Sequence, residues 1–77
     1  MEYEKLVNLI AGELNLKPEK IKRESRLKED LGADSLDVFQ IMIKIEEELR
    51  TEVDPVKAEK LRTVDDVWRL VQKQVHQ

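Results

Sequence analysis

The chain has no cysteine and one histidine, His76, so it offers no disulfide framework, no thiol and no imidazole cluster for a transition metal. Any thiol chemistry must come from an added group. A serine nucleophile needs a positioned base, and His76 is the penultimate residue of a tail expected to fray, which argues against catalysis by the chain itself. Two glycines, two prolines and three aromatics among many Leu, Ile, Val, Glu and Lys predict an all-α fold, not a sandwich. No apolar run is long enough for a membrane span, and the N-terminus lacks a basic region followed by an apolar stretch. The expectation is a cytoplasmic monomer, with residues 1–77 forming one small domain.

What is abundant is charge, and it is unevenly placed. Residues 1–28 carry a net +2, residues 29–54 a net −7 and residues 55–77 a net +2, within a total of −3. Such an acidic middle attracts basic surfaces and repels nucleic acid. It makes no evident metal site. Glu46, Glu47 and Glu48 are consecutive, and side chains about 100° apart on a helix cannot converge on one ion. The acids from Asp30 to Asp37 do not match the offsets of an EF-hand loop.

Apolar spacings of three and four outline the helices. Tyr3, Leu6, Val7, Ile10 and Leu14 predict a first helix from Glu2 to about Leu14, with Asn15 as a left-handed cap. Gly12 inside it costs about 1 kcal/mol relative to alanine unless close packing requires it. Pro18 can open a short turn with Ile21 inward, followed by a long connection from Lys22 to Glu29 held by Leu27 and Leu31. Lys17, Lys20, Lys22, Arg23, Arg26 and Lys28 make this loop basic. It is either solvated or an internal electrostatic complement to the acidic helix.

Asp34 is a suitable N-cap for a helix running from Ser35 to about Leu49, and Asp37 favours its positive end. Ser35 then sits at about the first helical position, near solvent, where a phosphate ester would be favoured by the helix N-terminus. On this helix Val38, Ile41, Met42, Ile45 and Leu49 gather on one arc that predicts the core face. Leu36, Phe39 and Ile43 form a second apolar strip, bordered by Gln40, Glu46 and Glu47. Phe39 and Ile43 either fold down onto the loop or the next helix, or form a contact strip edged by acid for a transient partner. Pro55 opens a short helix through Val56, Ala58 and Leu61, with Lys57, Glu59 and Lys60 outward. Thr63 caps a last helix with Asp65 and Asp66 in its first turn and Val64, Val67, Trp68, Val71 and Val75 buried.

The octet Asp30-Leu31-Gly32-Ala33-Asp34-Ser35-Leu36-Asp37, with the apolar helix that ends Ile45-Glu46-Glu47-Glu48-Leu49, resembles the acyl carrier proteins of fatty-acid synthesis over nearly the whole chain. The resemblance implies a four-helix bundle of three longer helices and one short one, with an interior able to admit an acyl chain. It implies that Ser35, within the motif Asp34-Ser35-Leu36, carries phosphopantetheine transferred from coenzyme A by a phosphopantetheinyl transferase, with the growing chain held as a thioester. The carrier would then dock, through Asp37, Phe39, Gln40, Ile43, Glu46 and Glu47, onto fatty-acid synthesis enzymes that offer basic patches. Two departures shift that docking charge: Gln40 stands where many members carry glutamate, and Lys44 interrupts the face. The basic loop also differs from the many members that are acidic there. The alternatives are a carrier of a polyketide, aminoacyl or D-alanyl cargo or, from another class, an adaptor that binds nucleic acid or membrane through the basic loop.

Overall fold

In the computed structural model, which describes residues 1–75 and side chains as far as Lys73, four α-helices account for most of the chain. They are α1 (Tyr3–Leu14), α2 (Ser35–Leu49), α3 (Pro55–Glu59) and α4 (Val64–Val75), with a single 3₁₀ turn at Pro18–Lys20. His76 and the side chain of Val75 lie outside the described residues. Among the described residues no helix is long and apolar enough to cross a membrane.

The apolar stripes become the core. Leu6, Ile10, Ile41, Ile45, Val64, Val67 and Val71 are fully enclosed, with α1 and α4 both packed on α2. Val38 and Leu49 are half-buried against that core, so the predicted core face of α2 stands. Tyr3 and Trp68 meet edge to face at 5.5 Å and tie the start of α1 to α4. Leu70 is buried too, which widens the α4 stripe beyond the residues that the strict spacing selects.

Each helix end is chemically accounted for. Asn15 takes the left-handed conformation (φ 57°) after α1. Arg50 does the same after α2 (φ 54°), at a position where glycine or asparagine is the usual choice. The Asp66 N–H donates to the Thr63 hydroxyl while Asp66 Oδ2 accepts from the Thr63 and Arg62 N–H groups, a reciprocal cap at the start of α4. Burial opposes ionisation of Asp66. The N–H groups of Arg62 and Thr63, the Thr63 hydroxyl and Arg69 outweigh it and hold the carboxyl below its usual range. α3 is shorter than the apolar residues suggested. It is capped by Asp54 and ends at Glu59, leaving Leu61 outside the helix and Val56 exposed, not inward.

Gly12 is exposed, and a β-carbon added there would meet no atom within 4 Å. No packing requires the glycine. Gly12→Ala is therefore expected to raise stability by about 0.5 to 1 kcal/mol, read as a higher urea midpoint with an unchanged slope. A midpoint that stays put or falls would mean that the α1 backbone needs glycine for a reason other than space.

The long connection is a structured element. The Leu27 N–H donates to the Arg62 carbonyl (2.8 Å), the Val64 N–H to Ser25 (3.0 Å) and the Asp65 N–H to Arg23 (2.9 Å), forming an isolated antiparallel bridge between Arg26 and Thr63. Leu27 is buried and Leu31 half-buried, as their anchoring role required. Arg23 pairs with Asp65 and lies over the Tyr3 ring, while Arg26 pairs with Asp30. The Arg26 guanidinium and backbone N–H hold the Asp30 carboxyl below the usual carboxylate range. Both arginines thus answer acids of α4 and of the loop itself, not of the acidic α2, and both side chains stay largely exposed.

Candidate functional site

The segment before α2 is built to present Ser35. The Leu27 carbonyl accepts from the Ala33 N–H (2.9 Å) and the Lys28 carbonyl from the Gly32 N–H (3.2 Å), closing a tight turn in which Gly32 takes φ 74°. That left-handed conformation suits a residue without a β-carbon. Ala33 is buried beside it, so the chain leaves the turn anchored in the core and enters the helix at one fixed point.

Asp34 and Asp37 then form a capping box. Asp34 Oδ1 accepts from the Asp37 N–H at 2.8 Å, and Asp37 Oδ2 accepts from the Asp34 N–H at 3.2 Å. Ser35 follows as the first residue of α2, exposed, with its hydroxyl 3.4 Å from Lys28 Nζ. Asp34 and Asp37 serve the cap. The Ser35 hydroxyl stands free of that cap, at a helix end whose N-terminal backbone favours an anion.

Ser35 also stands on the rim of a cleft of about 360 Å³ between α2 and α3. Val38, Phe39, Met42, Val53, Ala58 and Leu61 line its apolar wall. A hydroxyl at the mouth of an apolar cleft suits a long, partly apolar group attached there.

The second strip of α2 is uneven. Leu36 and Phe39 are 64% and 59% exposed, so Phe39 does not fold down onto the loop. Ile43 is half-buried but stands outside the set of side chains packed on the core. The bordering acids divide. Glu47 and Gln40 are exposed. Glu46, expected at the surface, is half-buried, because its Oε2 accepts from the Val53 N–H at 2.9 Å and fastens the loop before α3. Glu48 pairs with Lys5 at 2.8 Å on the α1 side. Lys44 reaches Glu13 of α1 at 2.9 Å and is therefore drawn toward α1, although Glu47 of the strip also lies within its field. The hydrogen bond to Glu13 holds the Lys44 ammonium charged to higher pH than usual.

Sequence reasoning missed Lys28 at Ser35, the Glu46 brace and the buried Ser25, whose hydroxyl accepts the Lys22 N–H at 3.0 Å. Among the described residues no cluster of acids and histidines is arranged to hold a metal ion.

Comparison with known proteins agrees with this geometry. The family model described as the phosphopantetheine attachment site matches residues 4–71. The acyl carrier protein of Wolinella succinogenes is 40% identical over 70 residues, spanning 91% of this chain and 92% of that protein. That of Thermosynechococcus vestitus is 40% identical over 72 residues, spanning 94% and 89%. A solved structure described as a candidate acyl carrier protein from Mycobacterium tuberculosis superimposes with a TM-score of 0.83 at 30% identity, covering 94% of this chain and 97% of that one.

Proposed function

Because this chain belongs to the acyl carrier proteins, we propose that it carries a growing acyl chain in fatty-acid synthesis, as a thioester on a phosphopantetheine arm attached to Ser35. The observation that carries the reading is the Ser35 hydroxyl, exposed at the first position of a capped helix and on the rim of an apolar cleft. In the loading step the hydroxyl loses its proton and forms a phosphodiester as the phosphoanhydride of coenzyme A breaks and the nucleotide leaves. A phosphopantetheinyl transferase catalyses that step. The arm supplies the thiol that the chain lacks.

The chain's own residues hold the attachment point still. Leu27 and Ala33 anchor the approach, Asp34 and Asp37 lock the helix start, and the cleft wall offers apolar cover to cargo. We read residues 1–77 as one monomeric carrier domain of the cytoplasm, a substrate of other enzymes and not itself a catalyst. Tethering raises the local concentration of cargo at each docked enzyme. Incubation with coenzyme A and a broad-specificity transferase should add one phosphopantetheine, seen by intact mass. A chain that gains nothing would overturn the reading.

Docking is assigned to the strip of exposed Leu36 and Phe39 and half-buried Ile43, with Asp37, Gln40 and Glu47 beside it and Glu46 at its edge, against basic patches on fatty-acid synthesis enzymes. Of the acids, Glu47 gives the clean test. Asp37→Lys would also remove the capping box, at a cost of about 0.5 to 2 kcal/mol, and Glu46 is bound to the Val53 N–H. Glu47→Lys is expected to slow association with a basic partner while leaving the melting temperature unchanged. Binding of the wild-type chain should weaken as salt rises, exposed charges being screened over about 8 Å at physiological ionic strength. Binding indifferent to both changes would leave the acidic segment a solubility feature.

A further inference from the structure

The cation at the attachment hydroxyl is Lys28 of the basic loop, with Nζ 3.4 Å from Ser35 Oγ. Its backbone is held from both sides. Its carbonyl accepts from the Gly32 N–H, and the preceding Leu27 is buried, donates to the Arg62 carbonyl and accepts from the Ala33 N–H. The loop's arginines are committed elsewhere, Arg23 to Asp65 and Arg26 to Asp30. No carboxylate among the described residues pairs with Lys28. The ammonium is therefore available at the one hydroxyl where a phosphodiester would form, and it also lines the cleft on whose rim Ser35 stands.

We propose that Lys28 is the positioning residue that pairs with the phosphodiester on Ser35 and anchors the root of the arm at the mouth of the α2–α3 cleft. This rests on the carrier reading above. The anion would otherwise stand beside Asp34 and Asp37, in the segment of net charge −7, with only the N-terminal backbone of α2 to favour it. A lysine fixed on a structured loop offsets that repulsion without first having to order a mobile chain. Within the basic loop, Arg23 and Arg26 hold the fold and Lys28 meets the anion, while Lys17, Lys20 and Lys22 stand exposed.

The experiment compares the melting temperatures of unmodified and phosphopantetheine-loaded protein for the wild type, Lys28→Gln and Lys28→Arg, with intact mass confirming one group per chain. Loading should shift the midpoint by about 2 to 5 °C more favourably in the wild type than in Lys28→Gln, the scale of an exposed ion pair in a domain of this size. Lys28→Arg should restore most of the difference, and about 1 M salt, where the Debye length is near 3 Å, should abolish it. A purely structural role for Lys28 would move the unmodified and loaded forms equally and so cancel. Equal loading shifts in all three proteins at low salt would overturn this inference alone. A wild-type chain that takes no arm would overturn the carrier reading and this inference with it.

Discussion

Replacing Ser35 with alanine is expected to abolish phosphopantetheine loading altogether while leaving the domain folded. Both halves follow from the division of labour at the start of α2. The cap is made by Asp34 and Asp37, so the Ser35 hydroxyl is not needed to close the helix end. Among the described residues its hydroxyl meets one side-chain donor, Lys28 Nζ at 3.4 Å. An exposed substitution of this kind changes stability by about 0.5 kcal/mol or less, and alanine is the better helix former. None of the other serine or threonine hydroxyls stands on the rim of the cleft. Ser25 is buried and accepts the Lys22 N–H, Thr63 is occupied by the cap of α4, and Thr51 lies in the loop after α2, away from any capped helix start. Intact mass after incubation with coenzyme A and a transferase, alongside a urea melt, reads both halves. A mass gain in Ser35→Ala would move the attachment point elsewhere, with peptide mapping to Ser25 the first place to look.

The helices were legible because each carries a local period. α1 and α2 begin and end within a residue of where the apolar spacing, Asn15 and Asp34 place them, since caps and stripes act over three or four residues. α4 shows its cap and most of its stripe in the sequence, but Leu70 lies at the edge of the arc that the other apolar residues define, and its burial is set by tertiary packing. The site was legible to the same depth. Ser35 could be placed at a helix start from its neighbours alone. Lys28 could not be placed on it, because that contact depends on the turn closed by the Gly32 N–H and on a backbone bridge to Thr63, distant in sequence. Glu46 shows the same limit: helical periodicity marks it as a border acid, whereas the path of the chain after Arg50 brings the Val53 N–H to it.

The two apolar strips of α2 should separate cleanly by mutation. Ile45 is fully buried, packed among α1, α2 and α4, and Ile45→Ala removes enclosed carbons and leaves a void that a small core closes only in part. The expected cost is about 2 to 5 kcal/mol, a large share of the 5 to 15 kcal/mol typical of a whole domain. Much of the chain should then be unfolded at modest urea. Ile43 is two residues earlier and turned by roughly 160° on the helix. It is largely shielded yet outside the core set, so Ile43→Ala should cost about 1 to 2 kcal/mol, less than Ile45→Ala, scaling with the apolar area it covers. If the strip docks partners, Ile43→Ala and the more exposed Phe39→Ala should instead slow acyl transfer, because truncating a central anchor costs upwards of about 1 kcal/mol of binding. Urea midpoints and transfer rates for the three variants decide the matter together. An Ile43→Ala midpoint as low as that of Ile45→Ala would make the strip part of the core. Unchanged transfer in both Ile43→Ala and Phe39→Ala would send the docking surface to another face of the domain.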